Sequence, residues 1–341
     1  MAEDSGPSSG QGDPGNDEMT TEKDQLIVGR SVKTKVLKKI NGGSFGEIFL
    51  GKLMSTGQKV VVKLERQNCK CPQLLFEGSV YRHLEGGPGI PETYWFGMHD
   101  PLYSVLVMEL LGPSLQELFI YCQRKFSLKT VLMLIDEMIT IMEFFHRKSY
   151  LHRDIKPDNF MIGRNEKSDR LYIIDYGLSK KFTRHKFIPH PHCPLAHGLV
   201  GTARYASIHA HLGRDDGPRD DMESMGYMWV YFLKGKLPWQ GIPIGNKREK
   251  FHKIKEMKIE TPLETLCENL PGEFMTYLTY CRHMRVDDIP NYVHIKDLFV
   301  SLATKEGIAY DKRYDWVIRQ EESGEKVKYF KVDEEHLSSS A

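Results

Sequence analysis

From Val32 the chain alternates apolar residues with lysine, and the alternation returns over residues 40–50 and 59–64 with turn residues between. A two-residue period puts one face of each segment against a core, so successive antiparallel strands are predicted. After Gly112-Pro113 the period changes. Ser127 precedes Val131, Leu134, Ile135, Met138, Ile141 and Phe145, a spacing that predicts a long helix with Ser127 as its N-cap. The expected fold class is α+β, with a small β-rich lobe over 32–109 and a larger, mainly α-helical lobe over 112–310. Residues 1–31 are set apart as a disordered tail, because Gly, Ser, Pro, Asp and Glu dominate up to about residue 24 and almost no aliphatic residue is available for burial. Residues 311–341 are expected to form a short C-terminal tail in which only Tyr314-Asp315-Trp316-Val317 is placed to dock. No internal repeat is visible.

Composition excludes several classes of protein. With 341 residues, 40% of them hydrophobic, the chain can bury a sizeable core. Lys plus Arg number 47 against 46 Asp plus Glu, so net charge supplies no drive toward nucleic acid or an anionic membrane, and neither is expected as a partner. No apolar run approaches the ~20 residues that cross a bilayer, and the first thirty residues lack a signal-peptide core. A cytoplasmic location, with the nucleus also open, is expected. The cysteines Cys69, Cys71, Cys122, Cys193, Cys267 and Cys281 are scattered without a paired framework, as for reduced thiols, and no disulfide is assigned. Cys69-x-Cys71 lacks the second pair of a metal knuckle.

Five features carry chemistry. Ile40-Asn41-Gly42-Gly43-Ser44-Phe45-Gly46-Glu47-Ile48 lies between two strand patterns, where backbone N–H groups clear of bulky side chains can fold over phosphate oxygens; alone it could be a Gly-rich hairpin turn. Lys63 ends the strand pattern Val60-Val61-Val62, from which an ammonium can reach phosphates, or simply water. Glu77, in a helical stretch, can hold Lys63 as an ion pair or stand as a surface charge. His152-Arg153-Asp154-Ile155-Lys156-Pro157-Asp158-Asn159 sets a carboxylate, an ammonium and an amide at the spacing phosphoryl transfer requires. Asp154 would accept the proton of an attacking hydroxyl, Lys156 would neutralise charge on the moving phosphate, and Asn159 would hold a metal ion. In Tyr172-Ile173-Ile174-Asp175-Tyr176-Gly177, Asp175 is placed as a second metal ligand, its alternative being an Asx turn. The order of all five is the order of a protein kinase.

The chain resembles the casein kinase 1 group of Ser/Thr protein kinases over roughly residues 33–310. The resemblance is carried by Leu110-Leu111-Gly112-Pro113-Ser114-Leu115, Arg124-Lys125-Phe126-Ser127-Leu128-Lys129-Thr130-Val131, Lys156-Pro157-Asp158-Asn159-Phe160, Gly201-Thr202-Ala203-Arg204-Tyr205-Ala206-Ser207-Ile208 and Leu237-Pro238-Trp239-Gln240-Gly241. Ser207-Ile208-His209 stands where most kinases carry Ala-Pro-Glu, similar to the group's Ser-Ile-Asn. The resemblance implies a bilobal kinase fold using ATP with Mg2+, or Mn2+ in its place. It implies Met108 as gatekeeper, Glu109 to Leu111 as the adenine-binding hinge, and Ile48, Val61, Met161 and Ile174 around the purine. Asp221 would brace the catalytic loop backbone. Substrates would be proteins with acidic or phosphorylated residues, usually three positions before the acceptor, read by an anion site of Arg204, the Gly235 N–H and Lys247. Arg204 could instead brace the activation segment, and Lys247 could lie on a solvated helix face. Activity without activation-loop phosphorylation and a monomeric state are expected.

The chain also departs from the group. Asn41 replaces the first phosphate-loop glycine, Val61 replaces the usual alanine over adenine, and Tyr176 replaces Phe with a hydroxyl that needs a partner if buried. The loop Phe182 to Gly198 is rewritten with His185, His190, His192, Cys193 and His197 among three prolines; a zinc site fits the ligand types, but the spacing matches no standard pattern. His197 falls beside the implied anion site, so preference for primed substrates would strengthen below about pH 6.5. Asn41, Val61 and the altered loop leave a rival reading, a kinase-fold scaffold without catalysis. Met133, Met138 and Met142 read as core, and Lys33, Lys35, Lys38 and Lys39 as a solvated strand face.

Overall fold

The computed structural model describes residues 27–324 apart from 44–45, 70, 184–185, 188–198 and 244. The first lobe contains β1 (Ile27–Val28), β2 (Thr34–Gly43), β3 (Gly46–Leu53), β4 (Lys59–Arg66), α1 (Leu74–Leu84), β5 (Thr93–Met98) and β6 (Tyr103–Glu109). These strands form one antiparallel sheet in the order β1-β2-β3-β4-β6-β5. Strand alternation decides which face each side chain meets. Val105 and Val107 of β6 pack with Val60, Val62 and Leu64 of β4 on one face, whereas Leu106 and Met108 point to the other, where Leu74, Val80 and Leu84 of α1 cover them.

The sheet begins earlier than the boundary at residue 32 suggested. Ile27 and Val28 pair with Lys35 and Thr34, and Val28 is fully buried. Two β-branched residues at the end of a polar run are too short a signal to read alone, but the open edge of β2 gives them hydrogen-bond partners.

The second lobe contains α2 (Leu115–Tyr121), α3 (Leu128–Arg147), β7 (Tyr150–Leu151), β8 (Phe160–Ile162), β9 (Leu171–Ile173), β10 (Lys180–Thr183), β11 (Lys186–Phe187), α4 (Ile208–His211), α5 (Pro218–Lys234), α6 (Lys247–Glu260), α7 (Leu263–Leu266), α8 (Gly272–His283), α9 (Tyr292–Lys305) and α10 (Asp315–Ser323). Ser127 caps α3, its hydroxyl accepting from the Thr130 N–H at 3.1 Å. Met133, Met138 and Met142 are buried on α3. The Tyr314–Val317 run docks as the start of α10. Asp315 accepts from the Ser127 N–H and hydroxyl at 2.6 and 2.7 Å, and Trp316 lies 5.5 Å from the Phe126 ring.

α5 is buried almost all round, as a helix at the centre of a lobe must be. Gly226 lets α8 approach it: a Cβ there would lie 2.5 Å from Leu278 Cδ2. Four cysteines, Cys69, Cys122, Cys267 and Cys281, carry free thiols. Cys71 is disulfide-bonded, which corrects the expectation of reduced thiols throughout. Spacing along a chain does not report which cysteines approach in space. Among the described residues no helix is long and apolar enough to cross a membrane.

Gly226→Val should force Leu278 and Tyr277 off α5, costing roughly 1–3 kcal/mol by overpacking. A lower calorimetric Tm checks it; an unchanged Tm would mean that α8 yields freely.

Candidate active site

β4 carries Lys63 into the cleft between the lobes, and α1 brings Glu77 to meet it, Nζ to Oε1 2.6 Å. Asp175 Oδ1 stands 3.6 Å from the same ammonium. Burial works against the Lys63 charge, but the carboxylates of Glu77 and Asp175 outweigh it and raise its pKa. For Asp175 burial likewise opposes ionisation, and Lys63, Lys156 and His152 overcome it, holding its pKa below the ordinary value. No local signal in the chain reveals what aims α1. Its N-cap, Gln73, supplies no capping side chain. Buried Glu65 of β4 does so from outside the helix, accepting the N–H groups of Gln73 at 3.0 Å and Leu74 at 2.9 Å. A carboxylate at a helix N-terminus satisfies orphan donors and meets the positive end of the dipole.

The residues of the 152–159 loop lie close together. Lys156 Nζ lies 2.5 Å from Asp154 Oδ2, and the Asn159 side-chain amide donates to the Asp154 carbonyl at 2.9 Å. That donation leaves the Asn159 Oδ1 as an acceptor, and Asn159 and Asp175 line the same cleft. Thr202, whose role the sequence reading missed, donates its hydroxyl to Asp154 Oδ1 at 2.7 Å. Asp221 braces the loop backbone, accepting the N–H groups of His152 and Arg153 at 2.8 Å each. Arg153 forms an ion pair with Asp216 at 3.1 Å.

Ile40, Ile48, Val61, Lys63, Met108, Glu109, Leu111, Met161 and Ile174 line one cleft of 610 Å³, together with Ser114, Gln116, Lys156, Asp158, Asn159, Asp175 and Thr202. An apolar slot with a few convergent polar groups suits a purine bearing phosphates. Glu109, which the resemblance places in the hinge, is held from outside by Lys167, Nζ to Oε1 2.6 Å. In the phosphate loop, Asn41 pairs with Ile48, Gly42 with Glu47 and Gly43 with Gly46, while Ser44 and Phe45 lie outside the described residues. Gly46 has a φ of 112°, and a Cβ there would meet the Leu64 carbonyl at 2.4 Å, so the turn requires glycine. Tyr176 is fully buried, and its hydroxyl finds the partner it needs in the Ile173 carbonyl at 2.8 Å.

Beyond the cleft, Arg204 is exposed and has no carboxylate partner among the described residues; its guanidinium lies over the Tyr205 and Tyr231 rings at 5.7 and 5.9 Å. The backbone around it is clamped from within. Trp239 Nε1 donates to the Arg204 carbonyl at 2.7 Å, and fully buried Lys258 donates to the carbonyls of Ala203 and Ala206. His211 Nε2–H shares the Ala203 carbonyl at 3.0 Å. Gly235 closes α5 with a φ of 83°, but its N–H is committed to the Tyr231 carbonyl at 2.9 Å. It therefore supplies room more than a donor. Lys247 opens α6, its side chain outside the described residues, as are His185, His190, His192, Cys193 and His197 with the zinc and pH expectations that rest on them.

A family model described as "Protein kinase domain" matches residues 34–288. The chain belongs to that family.

Glu65→Ala should free the start of α1 and loosen the Lys63–Glu77 pair. Removing the cap should cost about 1–2 kcal/mol of stability and weaken Mg-ATP binding, measured by calorimetry; unchanged affinity would show that α1 is aimed by other contacts. Burial, with nearby cations adding to it, pushes His209 and His211 down to about 4. Folded pKa values below the unfolded 6.5 mean that their contribution to stability is complete above pH 6.5 and is lost as pH falls toward 4. Tm should drop across that window, and His211→Gln should flatten the slope.

Proposed function

We propose that the protein is an ATP-dependent Ser/Thr protein kinase of casein kinase 1 type, acting on protein substrates that carry acidic or phosphorylated residues before the acceptor. The observation that carries the proposal is the convergence of Asp154, Lys156, Asn159, Asp175, Lys63 and Glu77 on one purine-sized cleft. Mg2+, or Mn2+, held by Asn159 and Asp175 would neutralise phosphate charge when nucleotide is bound. Asp154 takes the proton from the attacking hydroxyl, oriented for this by Lys156 and Thr202. The Lys156 ammonium faces the charge that moves with the γ-phosphate, and Lys63, fixed by Glu77, positions the phosphates behind it.

Two further observations support the finer reading. Arg153 already has Asp216 as its counter-ion, so it does not wait for a phosphate on the activation loop. Among the described residues Arg204 stands exposed without a carboxylate partner, as a reader of substrate anions should. The scaffold alternative gains nothing from Val61, which lines the cleft without closing it.

Peptide pairs with and without phosphoserine three residues before a serine acceptor test the proposal. Wild type should phosphorylate the primed peptide faster, Asp154→Asn should lower kcat by roughly 100- to 10,000-fold, and Arg204→Ala should erase most of the priming preference. Nucleotide binding without transfer would overturn the activity. Transfer without preference would overturn the substrate class.

A further inference from the structure

The end of α2 holds a second exposed guanidinium beside Arg204. Gln123 and Arg124 both have left-handed backbones, φ 58° and 60°. Non-glycine residues adopt this conformation at a cost and keep it only where surrounding structure imposes it. Here the Arg124 N–H is tied to the Phe119 carbonyl at 2.7 Å, and the Arg124 carbonyl lies where a Cβ on Gly235 would approach to 3.0 Å. Gly235 thus lets the Arg124 turn rest on the end of α5.

The result is a fixed side chain. The Arg124 guanidinium lies over the Phe119 ring at 5.8 Å, and Nη2 donates to the Tyr231 hydroxyl at 3.2 Å. Arg204 approaches the ring of the same Tyr231, so the two cations share one tyrosine. Neither has a carboxylate partner among the described residues. The Tyr231 hydroxyl also contacts Gln116 Oε1 at 3.4 Å, and Gln116 lines the mouth of the cleft with Lys156, Asp158 and Thr202. A continuous polar path therefore runs from the catalytic loop past Gln116 and Tyr231 to both arginines. Because the Gly235 N–H is spent within α5, an anion here needs other donors, and Arg124 keeps most of its five.

We propose that Arg124 is a specificity-determining residue that reads a second anionic group on the substrate, farther from the acceptor than the group read by Arg204. This rests on the casein kinase 1-type reading. Arg204 lies two residues from Thr202, which touches Asp154, and so belongs to the nearer anion. Arg124, held at the Tyr231 hydroxyl and in a different segment from Thr202, is assigned the more distant one. Preferred substrates carry two spaced acidic or phosphorylated residues.

The test uses peptides with phosphoserine three residues before the acceptor, each carrying one added glutamate four to seven residues before it. In wild type, one placement should raise kcat/KM roughly three- to fivefold, the range of an exposed ion pair, through a lower KM. Arg124→Ala should lose that gain and keep the primed-to-unprimed ratio of the parent pair, whereas Arg204→Ala should lose that ratio. No gain at any position in wild type, or a gain that survives in Arg124→Ala, would overturn the role of Arg124. Absence of the parent preference in wild type would instead overturn the substrate class on which it rests.

Discussion

The geometry of the catalytic loop depends on one buried carboxylate. Asp221, in the central helix α5, is 2% exposed and accepts four-way support: the N–H groups of His152 and Arg153, the His146 ring at 2.9 Å, and through His146 Nδ1 the Tyr292 hydroxyl at 2.6 Å. Burial alone would raise its pKa, but the hydrogen bond and charge from His146, with His152 and the Arg153 N–H, hold it below the ordinary value. Those two backbone bonds fix Arg153 in a left-handed conformation, φ 70°. That turn points Asp154 into the cleft. α3, α5 and α9 are thereby tied to the atom that would take the substrate proton.

The other half of the site is assembled from outside the loop. Glu65 aims α1, α1 delivers Glu77, and Glu77 holds Lys63 opposite Asp175, itself at a φ of 69°. The segment 201–207 is pinned from beneath by Lys258, His211 and Trp239, so its carbonyls face inward and Arg204 faces out. Each clamp satisfies backbone carbonyls that would otherwise be buried without partners. Rigid support beneath a charged surface is what lets two arginines keep a fixed spacing.

Much of this was legible in the chain because the informative groups are close together or recur in order. The strand patterns of β2, β3 and β4, the Ser127 cap of α3 and the offsets from Asp154 to Asn159 are local properties. The lining of the cleft followed from resemblance to relatives, and the family match covers the same region. What escaped is long-range. Thr202 and Asp154 are joined across 48 residues, Lys258 and Ala203 across 55, and Glu65 caps a helix from another element. No periodicity or spacing announces such contacts. The Gly235 N–H shows the opposite failure, since only the closed turn of α5 reveals that this donor is already committed.

The most direct measurement of the central claim is transfer of the γ-phosphate from Mg-ATP to a serine peptide by the isolated protein, in a preparation that mass spectrometry shows to be unphosphorylated. The account predicts multiple turnovers from the first mixing, because Asp221 and Asp216 already hold the catalytic loop and its arginine in place. Tight nucleotide binding with no transfer, or transfer only after another kinase has acted, would contradict it.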